Sequence, residues 1–240
     1  MVYALVAAGG RGRRFGGSLA KQYADLGGVP LVVRTLRAFD ACDAIDRLVL
    51  VVPAKDELWV RERLLPASGL QKPLTLVRGG ETRQDSVFAG LCAIPEEDAW
   101  VAIHDAVRPI VSASCIAACV ARARETGAAI AAVPLRDTLK KAEEGGRIGA
   151  TVDREGLWLA QTPQVFRVGL IRAAHEEARR LGINATDDAS LVERRGGTVW
   201  IVEGSPFNFK ITTVEDLELA AALLPNEPFR APEPRKGDNP

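Results

Sequence analysis

Glycines and positively charged side chains are concentrated at the start of the sequence, directly after a short apolar segment. The first carboxylate of the chain, on Asp25, follows them, so no acidic neighbour neutralises the cations. Because glycine lets a backbone approach a ligand and turn its N–H groups toward it, such a stretch is suited to holding a phosphate chain. The sequence therefore predicts a nucleoside triphosphate site formed by Gly9, Gly10, Gly12, Gly16, Gly17, Arg11, Arg13, Arg14 and Lys21.

Two common nucleotide-binding motifs do not account for this stretch. A dinucleotide fingerprint needs a third glycine where Phe15 follows Gly10 and Gly12, and a P-loop needs lysine where Ser18 follows Gly17. An ordinary glycine-rich turn between strand and helix, with solvated arginines, is the alternative interpretation. It leaves the density of glycine and arginine unexplained, so we favour the triphosphate site.

Further polar motifs follow in order along most of the chain. They are Gly10-Arg11-Gly12-Arg13-Arg14 with Lys21, then GGETRQDS at 79–86, HDAVRP at 104–109, RDT at 136–138, VDR at 152–154, TPQ at 162–164, TDDAS at 186–190, and Lys210. Together they resemble the bacterial family of 2-C-methyl-D-erythritol 4-phosphate cytidylyltransferases of isoprenoid synthesis, up to about Leu224. Two departures concern base contact: Ala7 stands where the family usually has proline, and Glu81 stands at its common aspartate.

The resemblance implies an enzyme that transfers CMP from CTP to an alditol phosphate and releases pyrophosphate, with Mg²⁺ or another divalent cation as cofactor. It implies Arg14 and Lys21 as catalytic residues and Asp105 as the metal ligand. The CTP-binding residues that it implies are Ala8, Gly9, Gly10, Gly12, Gly80, Glu81, Ser86, Asp105 and Ala106. The acceptor-binding residues are Thr138, Arg154, Thr186 and Lys210, with Arg154 contributed by a neighbouring subunit.

The reaction matches what the residues can do. A phosphate monoester has a second pKa of about 6, so it can attack phosphorus without a general base. The chain has two histidines and no Ser–His arrangement. Charge neutralisation and positioning are needed instead, and Arg14 and Lys21 are suited to opposing the charge that builds around phosphorus. Asp105, at the end of an apolar segment, is suited to holding Mg²⁺ against phosphates.

Several residues also have ordinary structural interpretations, which stay open at this point. Asp105 can belong to a capped turn, Ser86 can be an ordinary residue early in a helix, and Lys210 can be solvated. Arg108 can serve to hold its own loop. Asp187 is more readily interpreted as a helix N-cap than as a ligand contact.

Bulk composition excludes some classes of protein. Lys plus Arg and Asp plus Glu are both 31, so no net field favours nucleic acid or a membrane surface. No apolar run is long enough to span a bilayer, and no signal-peptide pattern opens the sequence. Four scattered cysteines indicate a reducing, cytoplasmic setting. Cys115 and Cys119 lie one helical turn apart but lack further metal ligands at suitable spacing.

Apolar segments of strand length alternate with amphipathic segments of helix length. This alternation predicts a single α/β domain over residues 1–224, with a Rossmann-like, mostly parallel sheet and helices on both faces. Predicted strands are 3–6, 47–52, 74–77, 99–103, 128–133, 198–202 and 207–211; predicted helices are 30–39, 55–65, 83–94, 112–126, 168–181, 187–195 and 214–224. In such sheets ligands bind beyond the carboxyl ends of the strands, where the first glycine stretch, Gly79-Gly80 and His104-Asp105 all fall.

Residues 135–158 break the alternation and are polar. They predict a protruding β-hairpin turning at Gly145-Gly146, and an isolated hairpin is marginal in water. We expect it to be an arm that forms a homodimer, which the resemblance also implies; a mobile surface flap is the alternative. The Pro-rich residues 225–240 predict a disordered tail.

Three rival functions compete with this interpretation. A cytidylyltransferase for another alditol phosphate, such as ribitol 5-phosphate, differs only on the acceptor side. A non-catalytic nucleotide-binding protein is disfavoured because Arg14, Lys21 and Asp105 are all present. A dinucleotide-dependent oxidoreductase is disfavoured by the failed glycine spacing.

Overall fold

A seven-stranded sheet with helices on both faces forms the centre of the molecule. The computed structural model describes residues 1–9 and 20–224. The strand order in the sheet is β11-β7-β10-β6-β1-β4-β5. The strands are β1 (Val2–Ala7), β2 (Asp25–Leu26), β3 (Val29–Pro30), β4 (Arg47–Val52), β5 (Leu74–Arg78), β6 (Trp100–Asp105), β7 (Ala128–Pro134), β8 (Leu139–Ala142), β9 (Ile148–Val152), β10 (Trp158–Arg167) and β11 (Trp200–Glu203).

The helices cover this sheet and are connected to it in alternation. They are α1 (Leu31–Asp40), α2 (Glu57–Trp59), α3 (Leu65–Ser68), α4 (Arg83–Cys92), α5 (Ala113–Thr126), α6 (Val168–Arg180), α7 (Asp188–Arg194) and α8 (Val214–Leu223). The predicted helix 55–65 is an irregular run in which a π-helical turn, Val60–Leu64, separates α2 from α3. Gly69 ends that run in the left-handed conformation, with φ of 71°, which glycine adopts without strain.

The side chains of each central strand alternate between two hydrophobic cores. In β1, Ala4 and Val6 pack with α1 and α5, whereas Tyr3 and Leu5 pack with α4, α6 and α7. Burying both faces explains why these strands are near-continuous apolar runs. The predicted mostly parallel sheet covered by helices is confirmed.

Among the described strands of this sheet, only β10 runs antiparallel to its neighbours, and it was not predicted. It pairs with β6 on one side and β7 on the other, and its register shifts between Ala160 and Gln164. Pro163 stands inside that interval, and proline within a run argues against a central strand. Pro163 therefore hid the strand in the sequence, whereas in the structure the register shift accommodates the proline.

The predicted strand 207–211 is wrong. Asn208 is buried, and its side-chain amide donates to the Thr162 carbonyl at 2.7 Å and to Gln161 Oε1 at 3.2 Å. Its backbone N–H closes a turn on the Ser205 carbonyl. The sequence from Phe207 onward alternates like a strand, but here Asn208 is buried by its side-chain hydrogen bonds and its backbone forms a turn.

The predicted hairpin is present as β8 and β9, which pair only with each other in the described part of the chain. Its turn contains Gly145 and Gly146, both with positive φ. Residues 139–160 are all exposed. No helix among residues 1–9 and 20–224 is long and apolar enough to cross a membrane. The glycine-arginine stretch 10–19 and the predicted tail 225–240 lie outside the described residues.

Candidate active site

Four neighbouring parallel strands end at one edge of the sheet, and several predicted site residues stand there. Ala8 and Gly9 follow β1, Gly79 follows β5, and β6 ends at Asp105. Ala7 is the register partner of Asp105, and backbone hydrogen bonds continue past the strand ends from Ala8 to Val51 and from Gly79 to Val52. The structure thus places these strand ends side by side.

Asp105 lies at the centre of a cluster of positive charge. Its Oδ1 accepts a hydrogen bond from Arg83 Nε at 2.9 Å, and its Oδ2 lies 2.9 Å from Lys210 Nζ and 3.8 Å from Arg108 Nε. Burial alone would raise the pKa of Asp105, but Arg83 and Lys210 outweigh it and hold that pKa well below its usual range. Asp105 is therefore a fixed anion over the whole neutral range.

Arg83 reaches a second carboxylate behind Asp105. Its second amino group, Nη2, donates to Asp188 Oδ2 at 2.9 Å, and Asp188 Oδ1 lies 3.0 Å from His175 Nε2. Burial would raise the pKa of Asp188, but Arg83 and His175 lower it. Arg83, placed in the first turn of α4, therefore joins β6 to α7.

Ser86 fills the space between two of the glycines. Its side chain is fully buried, and its hydroxyl donates to the Thr82 carbonyl at 2.9 Å. A Cβ on Gly9 would overlap Ser86 Oγ, and one on Gly79 would stand 2.7 Å from the same oxygen. A Cβ at either position would force Ser86 to shift, because α4 lies this close to the strand ends.

His104 is engaged at both ring nitrogens. Nε2 faces the Arg108 carbonyl at 3.0 Å, and Nδ1 lies 2.9 Å from the hydroxyl of Thr162, which itself accepts from the backbone N–H of Asp105. Burial lowers the pKa of His104 to about 4. The ring is therefore neutral at pH 7 and serves to hold the β6 and β10 backbones at the site.

Arg108 has the structural role that the sequence left open. Its guanidinium donates to the Asn208 carbonyl at 2.8 Å, and the Ile211 N–H donates to the Val107 carbonyl. These contacts hold the segment between them, which carries Lys210, against the end of β6. Asp187 is likewise confirmed as an N-cap, since its side chain accepts from the N–H of Ser190 at 3.1 Å.

Four more of the predicted nucleotide-side residues, Ala106, Lys21, Gly80 and Glu81, lie in the described part of the chain. The Ala106 N–H donates to the Ala7 carbonyl, and the Ala106 carbonyl accepts from the Thr35 hydroxyl. Lys21 begins a short 3₁₀ turn, Lys21–Tyr23. Gly80 and Glu81 line an open groove of about 520 Å³ along the outer side of α4, which also includes Phe88. Arg14, Gly10 and Gly12 lie outside the described residues.

The predicted acceptor residues form two separate groups. Lys210 contacts Asp105, and Thr186 precedes the N-cap of α7, two residues before Asp188. Thr138 and Arg154 are exposed on the hairpin, where the Arg154 guanidinium donates to the Arg136 carbonyl. Within one chain, the structure brings Lys210 to the cluster, places Thr186 two residues before Asp188, and leaves the two hairpin residues on the arm.

The carboxylate at this edge can hold a magnesium ion only with help from other ligands. Among the described residues there is no group of three or more His, Cys, Asp or Glu side chains that could hold a metal. Mg²⁺ is usually bound through one or two carboxylates together with substrate phosphates and waters, and each carboxylate oxygen has two acceptor sites. Asp105 therefore fits Mg²⁺ that is brought with a triphosphate.

Sequence reasoning assigned no role to three residues of the cluster. Arg83 was noted only as part of a motif, Asp188 as part of another, and His175 not at all. Arg83 and Asp188 are 105 positions apart. A charged residue early in a helix is usually solvated, so nothing in the sequence indicated that Arg83 and Asp188 form an ion pair.

Comparisons with known proteins agree on one family. A profile described as "IspD: 2-C-methyl-D-erythritol 4-phosphate cytidylyltransferase" matches residues 2–226. The chain is 46% identical over 223 residues to the 2-C-methyl-D-erythritol 4-phosphate cytidylyltransferase of Pelotomaculum thermopropionicum, covering 93% of this chain and 94% of that protein. It is 48% identical over 225 residues, 94% of its own length, to the bifunctional enzyme IspD/IspF of Desulforudis audaxviator, but spans only 57% of that protein.

Solved structures support the same grouping. The crystal structure of 2-C-methyl-D-erythritol 4-phosphate cytidylyltransferase from Thermus thermophilus is similar, with a TM-score of 0.76 and 38% sequence identity. The match covers 92% of this chain and 96% of that one. The overall fold of this chain is therefore similar to that of a solved structure in the same family.

Proposed function

The chain belongs to the 2-C-methyl-D-erythritol 4-phosphate cytidylyltransferase family, and from this premise we infer how its residues carry out that reaction. The chain transfers CMP from CTP to the phosphate of 2-C-methyl-D-erythritol 4-phosphate, which gives 4-diphosphocytidyl-2-C-methyl-D-erythritol and pyrophosphate. The observation that carries the assignment to this edge is the Asp105 carboxylate held between Arg83 and Lys210, next to the glycines that follow β1 and β5.

The reacting phosphate needs positioning rather than a base. An oxygen of the acceptor phosphate attacks the α-phosphorus of CTP, and the bond to the bridging oxygen of pyrophosphate breaks. Both histidines, His104 and His175, are fully buried and hydrogen-bonded to protein groups. That arrangement supports a mechanism in which the phosphate dianion itself is the nucleophile.

Positive charge is the main contribution that we assign to the protein. Arg14 and Lys21 oppose the charge that develops around the α-phosphorus, and Lys210 and Thr186 hold the acceptor phosphate. Asp105 would hold a divalent cation such as Mg²⁺, which when bound neutralises the triphosphate and polarises its phosphoryl oxygens. Ala8, Gly9, Gly80, Glu81, Ser86 and Ala106 form the nucleoside side, with Gly10 and Gly12 contributing from the glycine stretch.

We propose that the enzyme is a homodimer joined through the hairpin arm. The arm and the start of β10 carry six large apolar side chains that are at least 37% exposed in one chain: Leu139, Ile148, Val152, Leu157, Trp158 and Leu159. Leu139 and Val152 are partners across the hairpin, and Leu157, Trp158 and Leu159 are consecutive; grouped exposed apolar side chains are typical of an interface. A second copy that covers them would bring the partner's Arg154 and Thr138 to the acceptor phosphate at the strand-end edge.

The proposed compartment is the cytoplasm. All four cysteines are free, and three of them, Cys42, Cys115 and Cys119, are buried. Cys115 and Cys119 lie on the same face of α5 without a disulfide between them, which supports a reducing setting. The substrates are small phosphorylated molecules, and no nucleic acid is expected as a partner.

The direct test measures pyrophosphate release with each of CTP, ATP, GTP and UTP and a panel of alditol phosphates that includes ribitol 5-phosphate. We expect release with CTP and 2-C-methyl-D-erythritol 4-phosphate in the presence of Mg²⁺, and its loss on addition of a chelator. Equal turnover of all four nucleotides would argue against a dedicated cytosine site. Preference for ribitol 5-phosphate would reassign the acceptor, and no release with any pair would refute the assignment.

A further inference from the structure

A continuous set of ion pairs runs from the strand-end edge into the core. Arg83 donates one hydrogen bond to Asp105 and another to Asp188, both at 2.9 Å. Asp188 is 1% exposed, and its second oxygen faces His175, which is fully buried on α6. We call Arg83, Asp188 and His175 the triad.

The backbone at Asp188 is hydrogen-bonded to a side chain of β10. Its backbone N–H donates to Gln164 Oε1 at 3.1 Å, and the N–H of Ala189 donates to the same oxygen at 2.9 Å. Gln164 Nε2 in turn donates to Asp187 Oδ2 at 2.8 Å. The start of α7, immediately after Thr186, is therefore fixed to the antiparallel strand β10.

His175 has no described hydrogen-bond partner other than Asp188. The buried Nδ1 of its ring lacks a partner among the described residues, whereas Nε2 lies 3.0 Å from the Asp188 carboxylate. The ring of Phe88 stacks on it with centroids 6.3 Å apart. The contacts of this histidine therefore serve to orient Asp188, since nothing else at its position uses its polarity.

Stability alone is a weak reason to bury these charges. Desolvation of a buried ion pair often cancels its attraction, and apolar residues of similar volume can replace such pairs without loss of stability. What a buried pair does provide is a defined geometry. Here the geometry connects two parts of the proposed site. The Asp105 carboxylate of β6 belongs to the nucleotide side, and the turn that carries Thr186 belongs to the acceptor side.

We propose that Asp188 and His175 are positioning residues for nucleotidyl transfer, which act through Arg83 to set the Asp105 carboxylate and through α7 to set Thr186. This inference rests on the proposed function. Asp188 accepts a hydrogen bond from Nη2 of Arg83, while Asp105 accepts one from Nε and also contacts Lys210. Without Asp188, the Arg83 guanidinium is free to turn toward Asp105. The distance between the nucleotide side and the acceptor side of the site is then no longer fixed.

The first test compares kcat and KM for Asp188→Asn with those of the original protein. Residues that hold a metal-binding side chain in place typically change activity by about 10–100-fold when removed, and we expect a fall of that size in kcat. We expect the KM for CTP to change by less than about threefold, because the nucleotide contacts themselves are intact. An unchanged kcat in a folded protein would overturn the proposal.

His175 provides a second variant in case Asp188→Asn does not fold. His175→Gln can keep a donor toward Asp188, whereas His175→Leu removes it. We expect His175→Gln to retain most of the activity and His175→Leu to lose it to nearly the extent of Asp188→Asn. Because His175 is inferred to act through Asp188, the double variant should be no worse than Asp188→Asn alone. Additive losses would contradict this order of action.

A matched control separates positioning from stability. Glu177 on α6 forms an ion pair with Arg195 at the end of α7, at 3.0 Å, so Glu177→Gln also breaks a contact between the same two helices. We expect Glu177→Gln to leave kcat unchanged. If Glu177→Gln and His175→Leu lowered Tm and kcat in parallel, the role would be structural and the proposal would fail.

A spectroscopic readout tests the triad without reference to turnover. The ¹⁵N–¹H signal of Arg83 Nε, assigned by its loss in Arg83→Lys, should be protected from solvent exchange in the original protein. We expect Asp188→Asn and His175→Leu to increase its exchange rate and Glu177→Gln to leave it unchanged. Faster exchange with unchanged kcat in Asp188→Asn and His175→Leu would refute only the positioning role. Absence of turnover in the original protein would refute the proposed function.

Discussion

At the scale of single residues, the site contains buried groups whose charge state is set by their neighbours. Asp105 stays anionic because Arg83 and Lys210 outweigh the effect of burial on its pKa, and His104 stays neutral because burial dominates its pKa. Neither side chain is therefore poised to transfer a proton at neutral pH. Asp105 contributes a permanent negative charge, and His104 contributes hydrogen bonds that hold the backbone around the site.

The burial of His104 predicts a specific dependence of stability on pH. The pKa of His104 is about 4 in the folded state and about 6.5 in the unfolded state, so the unfolded chain binds the proton more readily. Its full contribution is present above pH 6.5 and is lost as the pH falls through 4, amounting to about 3 kcal/mol. Denaturant unfolding between pH 7 and 4 should show this loss. His104→Asn should flatten the difference, and an equal slope in both proteins would contradict the assignment.

The contact between Gly9 and Ser86 predicts a substitution that one partner can relieve. Gly9→Ala places a Cβ against Ser86 Oγ, closer than van der Waals contact allows, and overpacking of this kind typically costs about 1–3 kcal/mol of unfolding free energy. Ser86→Gly made in the same chain should recover most of that loss, with Ser86→Gly alone as the control. Urea unfolding of the four proteins gives the interaction term, and additive effects would show that the two residues do not clash.

At the scale of elements, each part of the site is carried by a different strand or helix. β6 presents Asp105, α4 presents Arg83 and Ser86, and the segment between β11 and α8 presents Lys210. β10 supports this arrangement, since Thr162 bonds to β6 and Gln164 bonds to α7. The hairpin of β8 and β9 is the exception, since its apolar side chains contact no core of its own chain in the described residues.

The arm predicts a difference between two comparably exposed leucines. Leu159, at the start of β10, is 52% exposed, and Leu58, on α2, is 64% exposed. If the arm binds a second copy, Leu159→Glu should convert the dimer to a monomer and lower turnover, because a charge would be buried in the interface. Leu58→Glu should change neither. Sedimentation velocity measures the outcome, and a dimer retained by Leu159→Glu would count against this interface.

At the scale of the whole molecule, one chain holds only part of the proposed acceptor site. Lys210 contacts Asp105 at the strand-end edge and Thr186 stands two residues before Asp188, whereas Thr138 and Arg154 are on the exposed arm. An arm that reaches into a second copy would complete both sites of a dimer at once. The proposed homodimer is then a condition for catalysis rather than only a source of stability.

Subunit mixing tests whether Arg154 acts in the partner's site. Arg154→Ala and Lys21→Ala should each lower turnover strongly, about 10²–10³-fold for loss of a well-placed charge. In a mixed dimer, one site combines both defects, while the other has its own intact Lys21 and the intact Arg154 of its partner. Activity should therefore return on mixing under conditions that exchange subunits. Heterodimers shown by mass spectrometry to be present without recovered activity would rule out the shared site.

The sequence alone determined those features that depend on neighbouring residues. The alternation of apolar and amphipathic segments predicted the covered, mostly parallel sheet, and the positions of Gly9, Gly79 and Asp105 after strands predicted their common edge. The cap at Asp187 and the turn of the hairpin were also predicted, because a cap or a tight turn is formed within a few residues.

Only the tertiary structure decided which distant residues meet. Pro163 concealed β10, because the register shift that accommodates a proline in a central strand depends on both neighbouring strands. The segment at Asn208 forms a turn where a strand was predicted. The sequence could not indicate this, because the side-chain partners of Asn208 are more than 40 positions away. Arg83 and Asp188 pair across 105 positions, and two charged residues carry no pattern that announces such a contact. Electrostatic partners are selected by the packing of helices and strands, which is settled only when the whole sheet is assembled.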